Sequence, residues 1–190
     1  LADRVTRTDR STTISEGDVS VVTIEHLLSA LTGLGVDNAL IKIDNEEVPI
    51  LDGSAESYVR AIAPDGLKVQ DAERVYIEIA EEIEIRDEKT GSWVKITPAD
   101  KPSYEVTVDF GSRVLGVQSA QWTEGADYVG QLASCRTFCF FHELEFLASQ
   151  GLVKGGDVDN AIVIVEHPVT KDQIDNMCIL FGQPRLSVTE

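Results

Sequence analysis

Apolar and polar positions alternate with helical spacing in one stretch near the start of the chain. Four apolar side chains there recur three or four positions apart, as on one buried face of an α-helix. They are Ile24, Leu27, Leu28 and Leu31. Ser20 or Thr23 is suited to cap the start of this helix, and Gly33 is suited to the left-handed turn after its end. We therefore predict that residues 24–32 form a helix with this stripe buried.

The predicted helix carries a carboxylate beside an imidazole in its first turn. Glu25 and His26 project about 100° apart and lie off the apolar stripe. Such a pair can combine a general base with a metal ligand. The alternative is a solvated glutamate and a partly buried histidine, because a motif this short is weak evidence by itself.

The rest of the first third of the chain is typical of short strands and one more helix. A strand is predicted at residues 10–14, and strands at 39–43 and 47–51 are predicted to pair as a hairpin. Asp52 or Ser54 then caps a predicted helix that runs to about Ala63. The polar stretch that follows, up to Glu73, is the best candidate for a linker between domains.

The second part of the chain changes to a period of two, which predicts an antiparallel meander between residues 75 and 122. A β-prone run at 134–140, a helix at 142–149 and an apolar strand at 160–165 follow. Thr170 and Gln173 form a capping box that opens a last helix. The predicted fold is α+β, with two sheet-plus-helix domains, each a two-layer sandwich, packed helix to helix. Their bounds are residues 1–66 and 73–190, with an insert near 156–190.

Charge and cysteine content narrow the function classes. The 190 residues include 33 acidic and 16 basic side chains, for a net charge of −17. This charge repels phosphate backbones, so general nucleic-acid binding is excluded. The sequence contains no apolar run long enough to cross a bilayer. Cys135, Cys139 and Cys178 are too irregularly spaced for a disulfide framework, and we expect reduced thiols in a cytoplasmic protein.

Longer motifs surround the Glu25–His26 pair and recur later in the chain. They are Thr23–Leu31, Gly33–Ala39, Val48–Ala55, Arg136-Thr137-Phe138, Gly155-Gly156 and Asp159–Val163. In order and spacing they resemble the UDP-3-O-acyl-N-acetylglucosamine deacetylases of lipid A biosynthesis, over nearly the whole chain. The segment 168–186 is similar to the second insert of Bacteroidetes-type members, some of which are fused to a dehydratase domain.

The resemblance implies a zinc-dependent amidohydrolase. Its substrate would be UDP-3-O-acyl-N-acetylglucosamine, whose acetamide is hydrolysed in the committed step of lipid A biosynthesis. His26 would be a zinc ligand, and Glu25 would be the general base that acts on zinc-bound water. Thr137 would stabilise the tetrahedral oxyanion through its hydroxyl. Phe138 would line the substrate site near the glucosamine and the acyl chain.

The same resemblance places three apolar residues along a hydrophobic passage for the acyl chain. These are Leu144, Val153 and Val158. Read without the family, the three side chains are ordinary core residues, and both readings stay open at this stage.

The sequence also departs from the family. Members carry two further zinc ligands on a later helix, a His and an Asp four residues apart, and another catalytic His beyond them. His142 and His167 do not fit these positions, and catalytic zinc normally has three protein ligands. We therefore expect an internal fragment, incomplete at both ends, with its remaining zinc ligands beyond residue 190. Alone it would hold little zinc and show little activity.

Two other functions compete with the zinc amidase. The first is a non-catalytic binding or structural module on the same fold, in which the Glu25–His26 pair serves packing only. The second is an unrelated sugar-phosphate-binding α+β domain, which the acidic charge and the lack of a glycine-rich phosphate loop disfavour. Zinc content measured together with activity separates the enzyme from the non-catalytic module.

Overall fold

A computed structural model describes residues 2–149 and 160–183, beginning with a three-stranded antiparallel sheet. Its strands are β1 (Val5–Arg7), β2 (Thr13–Glu16) and β3 (Val19–Val21), in the order β1-β2-β3. The strand that was predicted at residues 10–14 therefore lies slightly later in the chain. A left-handed glycine, Gly17, makes the turn between β2 and β3 with a φ of 58°.

Two helices follow, as predicted: α1 (Glu25–Gly33) and α2 (Glu56–Ile62). The predicted side-chain cap of α1 is wrong, because Ile24 occupies the cap position and makes no side-chain cap bond. Thr23 instead directs its hydroxyl to the carboxylate of Glu47, at 2.9 Å. The hydroxyl of Thr23 therefore bonds a residue that is distant in sequence and does not cap α1.

The hairpin predicted for residues 39–51 is wrong. Within the described ranges, residues 39–43 form no strand, and Glu47 makes a parallel bridge to Val22. The N–H of Val48 donates to the Val22 carbonyl at 3.0 Å, so Val22, the residue directly after β3, takes the place of the predicted partner. Residues 35–41 and 66–76 instead face each other across a wide groove that Leu27 and Leu31 also line.

The period-two region forms two hairpins. Strand β4 (Ile83–Arg86) pairs with β5 (Trp93–Ile96), and β6 (Ser103–Asp109) pairs with β7 (Val117–Thr123), both antiparallel. The predicted strands from Ile83 onward are confirmed here. The first part of the predicted meander is wrong, because residues 75–79 form no strand and Val75 and Ile77 are almost fully exposed. The predicted single meander is instead two separate two-stranded sheets.

The last part of the chain combines a parallel strand pair with three helices. After the short α3 (Tyr128–Gln131), strand β8 (Phe138–Phe140) leads directly into α4 (Phe141–Ser149). Strand β9 (Ile162–Ile164) pairs with β8 in parallel. The last helix, α5 (Lys171–Leu180), begins with the predicted capping box, and the α+β fold class is confirmed. None of the helices in the described ranges has the length and apolarity needed to cross a membrane.

Tyr128 ties the two helices of the first half to the second half of the chain. Its ring is buried in a cluster with small side chains, and its hydroxyl shares a 2.6 Å hydrogen bond with Ser29. The other buried members are Ala30, Ala55, Val59 and Ala133. The deepest residue of α1 is therefore Ala30, whereas Leu27, Leu28 and Leu31 of the predicted buried stripe are only half-buried. The cluster draws on both predicted domains, and the division at residues 66–73 stays a prediction.

Close packing of Tyr128 on α1 makes the helix sensitive at Gly33. A Cβ at Gly33 would lie 2.2 Å from the Cδ1 atom of the Tyr128 ring. We expect Gly33→Ala to lower the free energy of unfolding by about 1–3 kcal/mol, the usual cost of overpacking. Exposed Thr32 in the same helix provides the control, because Thr32→Ala should stay within about 0.5 kcal/mol. Urea unfolding measures both, and equal effects would contradict the contact.

Candidate active site

The segment between Leu51 and Ala55 departs from ordinary backbone geometry where the candidate site begins. Leu51 has a φ of 54°, and Gly53 follows with a φ of 80°. Thr23, directly before the Glu25–His26 helix, has a φ of 62°. Left-handed conformations of non-glycine residues are uncommon, and they cluster at functional sites where the surrounding structure holds them. Both predicted motif segments therefore carry backbone strain beside the side chains that were predicted to be functional.

Gly53 is the point at which three separated motifs meet. Its carbonyl accepts the N–H of Thr137 at 2.8 Å, and the carbonyl of Asp52 accepts Nε of Arg136 at 2.7 Å. A Cβ at Gly53 would lie 2.1 Å from the carbonyl oxygen of Asn160. Backbone can approach this closely only because position 53 lacks a side chain. The structure thus brings together the motifs around Asp52, Thr137 and Asn160.

Thr137 is held on both sides of its peptide unit. Besides the bond from its N–H to Gly53, its carbonyl accepts the N–H of Ile162 at 2.9 Å. Its Cγ2 methyl would lie 3.2 Å from a Cβ at Gly53, so the side chain packs on the glycine. The backbone that carries the predicted oxyanion donor is therefore fixed before any substrate binds.

Asp52 forms the charged part of this junction. Its Oδ1 accepts the hydroxyl of Ser54 at 2.9 Å and the N–H of Ser54 at 3.2 Å. Partial burial acts to raise the pKa of Asp52, but the hydrogen bonds from Ser54 and the positive charge of Arg136 outweigh it. The pKa of Asp52 is consequently lowered below its usual value, and the carboxylate is ionised at neutral pH.

Glu25 and His26 are both half-buried at the start of α1. The Oε2 atom of Glu25 accepts the N–H of Thr12 at 3.1 Å, which orients the carboxylate against the segment before β2. The Thr12 carbonyl faces the same helix start, because it accepts the N–H of Ile24 at 3.5 Å. The predicted base is thus held by backbone, as a positioned proton acceptor requires.

Phe138 lines a small apolar cavity of about 280 Å³ between β6, β8 and β9. Its ring meets that of Phe110 edge to face, with centroids 5.2 Å apart. The lining residues are Val108, Phe110, Leu115, Gly116, Gln118, Arg136, Phe138, Ile162 and Ile164. Glu25, His26 and Thr137 are not among them. The structure therefore places Phe138 beside Thr137 but does not bring the Glu25–His26 pair into the same cavity.

The remaining predicted positions are less defined. Leu144 lies half-buried in α4, whereas Val153 and Val158 lie outside the described residues. In the part of the chain that the structure describes, no three His, Cys, Asp or Glu side chains converge on a possible metal position. His26 is thus a single candidate ligand, and these residues alone do not fit a zinc site with three protein ligands.

Two residues of the junction were missed as functional candidates from sequence. Arg136 and Asp52 both lie inside quoted motifs, but their contact runs from a guanidinium to a backbone carbonyl. Every residue has a backbone carbonyl, so the residue type does not indicate which carbonyl accepts a hydrogen bond. The available signal was only that a charged residue precedes the small or β-branched residue of each motif, Gly53 and Thr137.

Known proteins match this chain over most of its length. Residues 1–176 match the family model described as LpxC: UDP-3-O-acyl N-acetylglycosamine deacetylase. The bifunctional enzyme LpxC/FabZ of Porphyromonas gingivalis is 42% identical over 190 residues, which cover 100% of this chain and 41% of that protein. The UDP-3-O-acyl-N-acetylglucosamine deacetylase of Helicobacter hepaticus is 40% identical over 169 residues, covering 88% and 56%. The chain thus spans about half the length of these relatives.

The Gly53 junction predicts a severe effect of a single methyl group. Gly53→Ala combines a left-handed backbone with a clash against the Asn160 carbonyl, and we expect a loss of roughly 3 kcal/mol or more in unfolding free energy. Gly17 is the matched control, because it has a similar φ but open space around it. Gly17→Ala should cost only about 1–2 kcal/mol. Equal losses for the two variants in urea unfolding would refute the close approach.

The lowered pKa of Asp52 predicts a pH dependence of stability. Because the folded-state pKa lies below the unfolded value of about 3.9, the stabilisation is complete above that pH and is lost as pH falls through the folded pKa. Asp52→Asn keeps an acceptor for Ser54 but removes the titrating group. Urea unfolding between about pH 3 and 7 should therefore show a shallower acid-side decline for the variant. An unchanged decline would contradict the assignment.

Proposed function

The chain belongs to the UDP-3-O-acyl-N-acetylglucosamine deacetylase family, and from this premise we propose that the complete protein hydrolyses the acetamide of UDP-3-O-acyl-N-acetylglucosamine. The products of this reaction are acetate and the free amine of the sugar. The reaction would be the committed step of lipid A biosynthesis. The observation that carries the proposal is the junction at Gly53, which fixes Thr137 between two backbone hydrogen bonds. A backbone fixed in this way limits the positions that the Thr137 hydroxyl can take, and preorganised donors stabilise developing charge without reorganisation.

Glu25 is the general base in this proposal. The bond from the Thr12 N–H orients its carboxylate, so that a water molecule can be deprotonated at a defined position. The water oxygen attacks the acetyl carbon, and the hydroxyl of Thr137 donates to the carbonyl oxygen as it becomes an oxyanion. The C–N bond then breaks, and the proton held by Glu25 is available to the leaving amine.

His26 is proposed as one of the zinc ligands of the complete protein. Its position next to Glu25 supports this role, since one imidazole and one neighbouring carboxylate then serve the metal and the water separately. The described residues do not supply a complete set of three ligands, so at least part of the set would come from elsewhere in the complete protein. The 190-residue chain by itself is accordingly expected to hold little zinc and to release little acetate.

The apolar cavity beside Phe138 supports an amphipathic substrate. Its walls are mostly aliphatic and aromatic, and Arg136 and Gln118 are the polar side chains among the lining residues. Pockets with apolar walls and a few placed polar groups are typical small-molecule sites. We propose that Phe138 contacts the substrate there and that Leu144 contributes to the passage for the acyl chain. Val153 and Val158 are assigned to this passage from the resemblance alone.

Two further properties of the complete protein follow from the relatives and the cysteines. Relatives from Porphyromonas gingivalis and Bacteroides thetaiotaomicron are named as bifunctional enzymes LpxC/FabZ. We propose that the complete protein likewise carries a second activity, the fused dehydratase that the resemblance implies. Cys135, Cys139 and Cys178 are free thiols, which fits a reducing compartment, and we propose a cytoplasmic location.

The role of Glu25 gives the sharpest test of the mechanism. Glu25→Gln in the complete protein keeps an acceptor for the Thr12 N–H but removes the basic group. We expect kcat to fall by about 10²- to 10⁴-fold, the usual contribution of a general base, with zinc content unchanged. Acetate release from UDP-3-O-acyl-N-acetylglucosamine and metal analysis provide the two measurements.

An exposed carboxylate in the turn between β4 and β5 supplies the control. Glu88→Gln should retain full turnover, because this exposed residue belongs to none of the motifs that form the candidate site. Retained turnover in Glu25→Gln would remove Glu25 from the mechanism. A wild-type protein that binds the substrate but releases no acetate would instead support the non-catalytic module.

A further inference from the structure

Arg10 connects the first sheet to the second half of the candidate site. It lies between β1 and β2 with a φ of 59°, in the left-handed region that non-glycine residues seldom occupy. Its Nη2 atom donates to Oε1 of Glu143 in α4 at 3.0 Å. The strained turn thus directs a guanidinium onto a helix that is distant in sequence.

Glu143 also contacts the end of β8. It lies in the first turn of α4, and its Oε2 atom accepts the N–H of Phe140, the last residue of β8, at 3.2 Å. A carboxylate at this position satisfies a free backbone donor at the helix start. One side chain therefore binds Arg10 with one oxygen and the end of the Thr137–Phe140 segment with the other.

The same short turn also holds the proposed base. Thr12, two residues after Arg10, donates its N–H to Glu25 and accepts the N–H of Ile24. Residues 10–12 consequently contact the start of α1 on one side and the start of α4 on the other. Residues 10–12 thus link Glu25, which does not line the cavity beside Phe138, to the helix that follows β8.

We propose that the ion pair between Arg10 and Glu143 is a positioning contact that sets the placement of Glu25 relative to Thr137 and Phe138. The inference rests on the proposed deacetylase function, because it assigns both ends of the connection to one reaction. Arg10 and Glu143 act through Thr12 and Phe140 and are positioning residues, not catalytic ones.

The exposure of the Arg10 and Glu143 side chains distinguishes a positioning role from a general stabilising role. The side chains of Arg10 and Glu143 are 62% and 31% exposed. Ion pairs this accessible to water contribute little to global stability. Small displacements of reacting groups, in contrast, have large effects on rate. Loss of the pair should therefore reduce turnover much more than it reduces resistance to unfolding.

Cys139 reports on the ion pair without any enzymatic activity. It lies in the middle of β8, where burial raises the pKa of its thiol, the charge of Glu143 raises it further, and the charge of Arg10 lowers it. Removal of the positive charge should slow alkylation of this thiol, and removal of the negative charge should accelerate it. The two single variants thus have opposite expected effects.

The experiment compares Arg10→Ala, Glu143→Gln and the charge exchange Arg10→Glu with Glu143→Arg in the complete protein. Deacetylation gives kcat and KM, iodoacetamide with site-resolved mass spectrometry gives the alkylation rate of Cys139, and urea gives the unfolding midpoint. We expect each single variant to lose kcat by about tenfold, with a nearly unchanged midpoint, and the exchange to restore part of the loss.

Three results would overturn the proposal. An alkylation rate of Cys139 that neither single variant changes shows that Arg10 and Glu143 do not lie beside this thiol, and the ion pair that the proposal requires is then lost. An altered rate with an unchanged kcat shows a surface contact without a positioning role. A wild-type protein that releases no acetate refutes the proposed function, and with it the positioning role, even where the Cys139 rates confirm the pair.

Discussion

The candidate site depends on one contact between backbones, at a position where no side chain fits. Gly53 lies so close to the Asn160 carbonyl that even a methyl group would occupy the same space. This approach lets the Gly53 carbonyl bind Thr137, and the neighbouring Asp52 carbonyl bind Arg136. Three motifs that are far apart in the sequence are assembled there by hydrogen bonds that involve main-chain atoms. Side chains then only complete an arrangement that the main chain has already set.

Local features of the fold were predictable from the sequence, and distant pairings were not. Helix α1 follows from its apolar spacing, and the capping box of α5 follows from Thr170 and Gln173, since each signal lies within a few residues. The hairpin over residues 39–51 failed because Glu47 pairs with Val22, a choice that tertiary structure makes. Period-two patterns identified the strands of the two hairpins because alternation is a local property of the sequence. They could not identify which strands pair in one sheet, because pairing depends on contacts between distant segments.

The site shows the same division. The resemblance pointed to Glu25, His26, Thr137 and Phe138, and it did so through motif letters. The contacts that hold these residues involve the N–H of Thr12 and the carbonyl groups of Asp52 and Gly53, which every residue type possesses. Arg10 was not a candidate at all, because its contact with Glu143 crosses most of the chain. The sequence therefore indicates candidate side chains more readily than it indicates the backbone contacts that hold them in position.

The parallel pairing of β8 with β9 has a consequence for how members of this family can differ in length. Parallel neighbours require a long crossover, here the chain between Phe140 and Ile162, which includes α4. Both ends of that crossover are anchored at the Gly53 junction, through Thr137 and Asn160. Changes of chain length between α4 and Asn160 therefore leave the register of β8 and β9 unchanged, because the two anchors set that register.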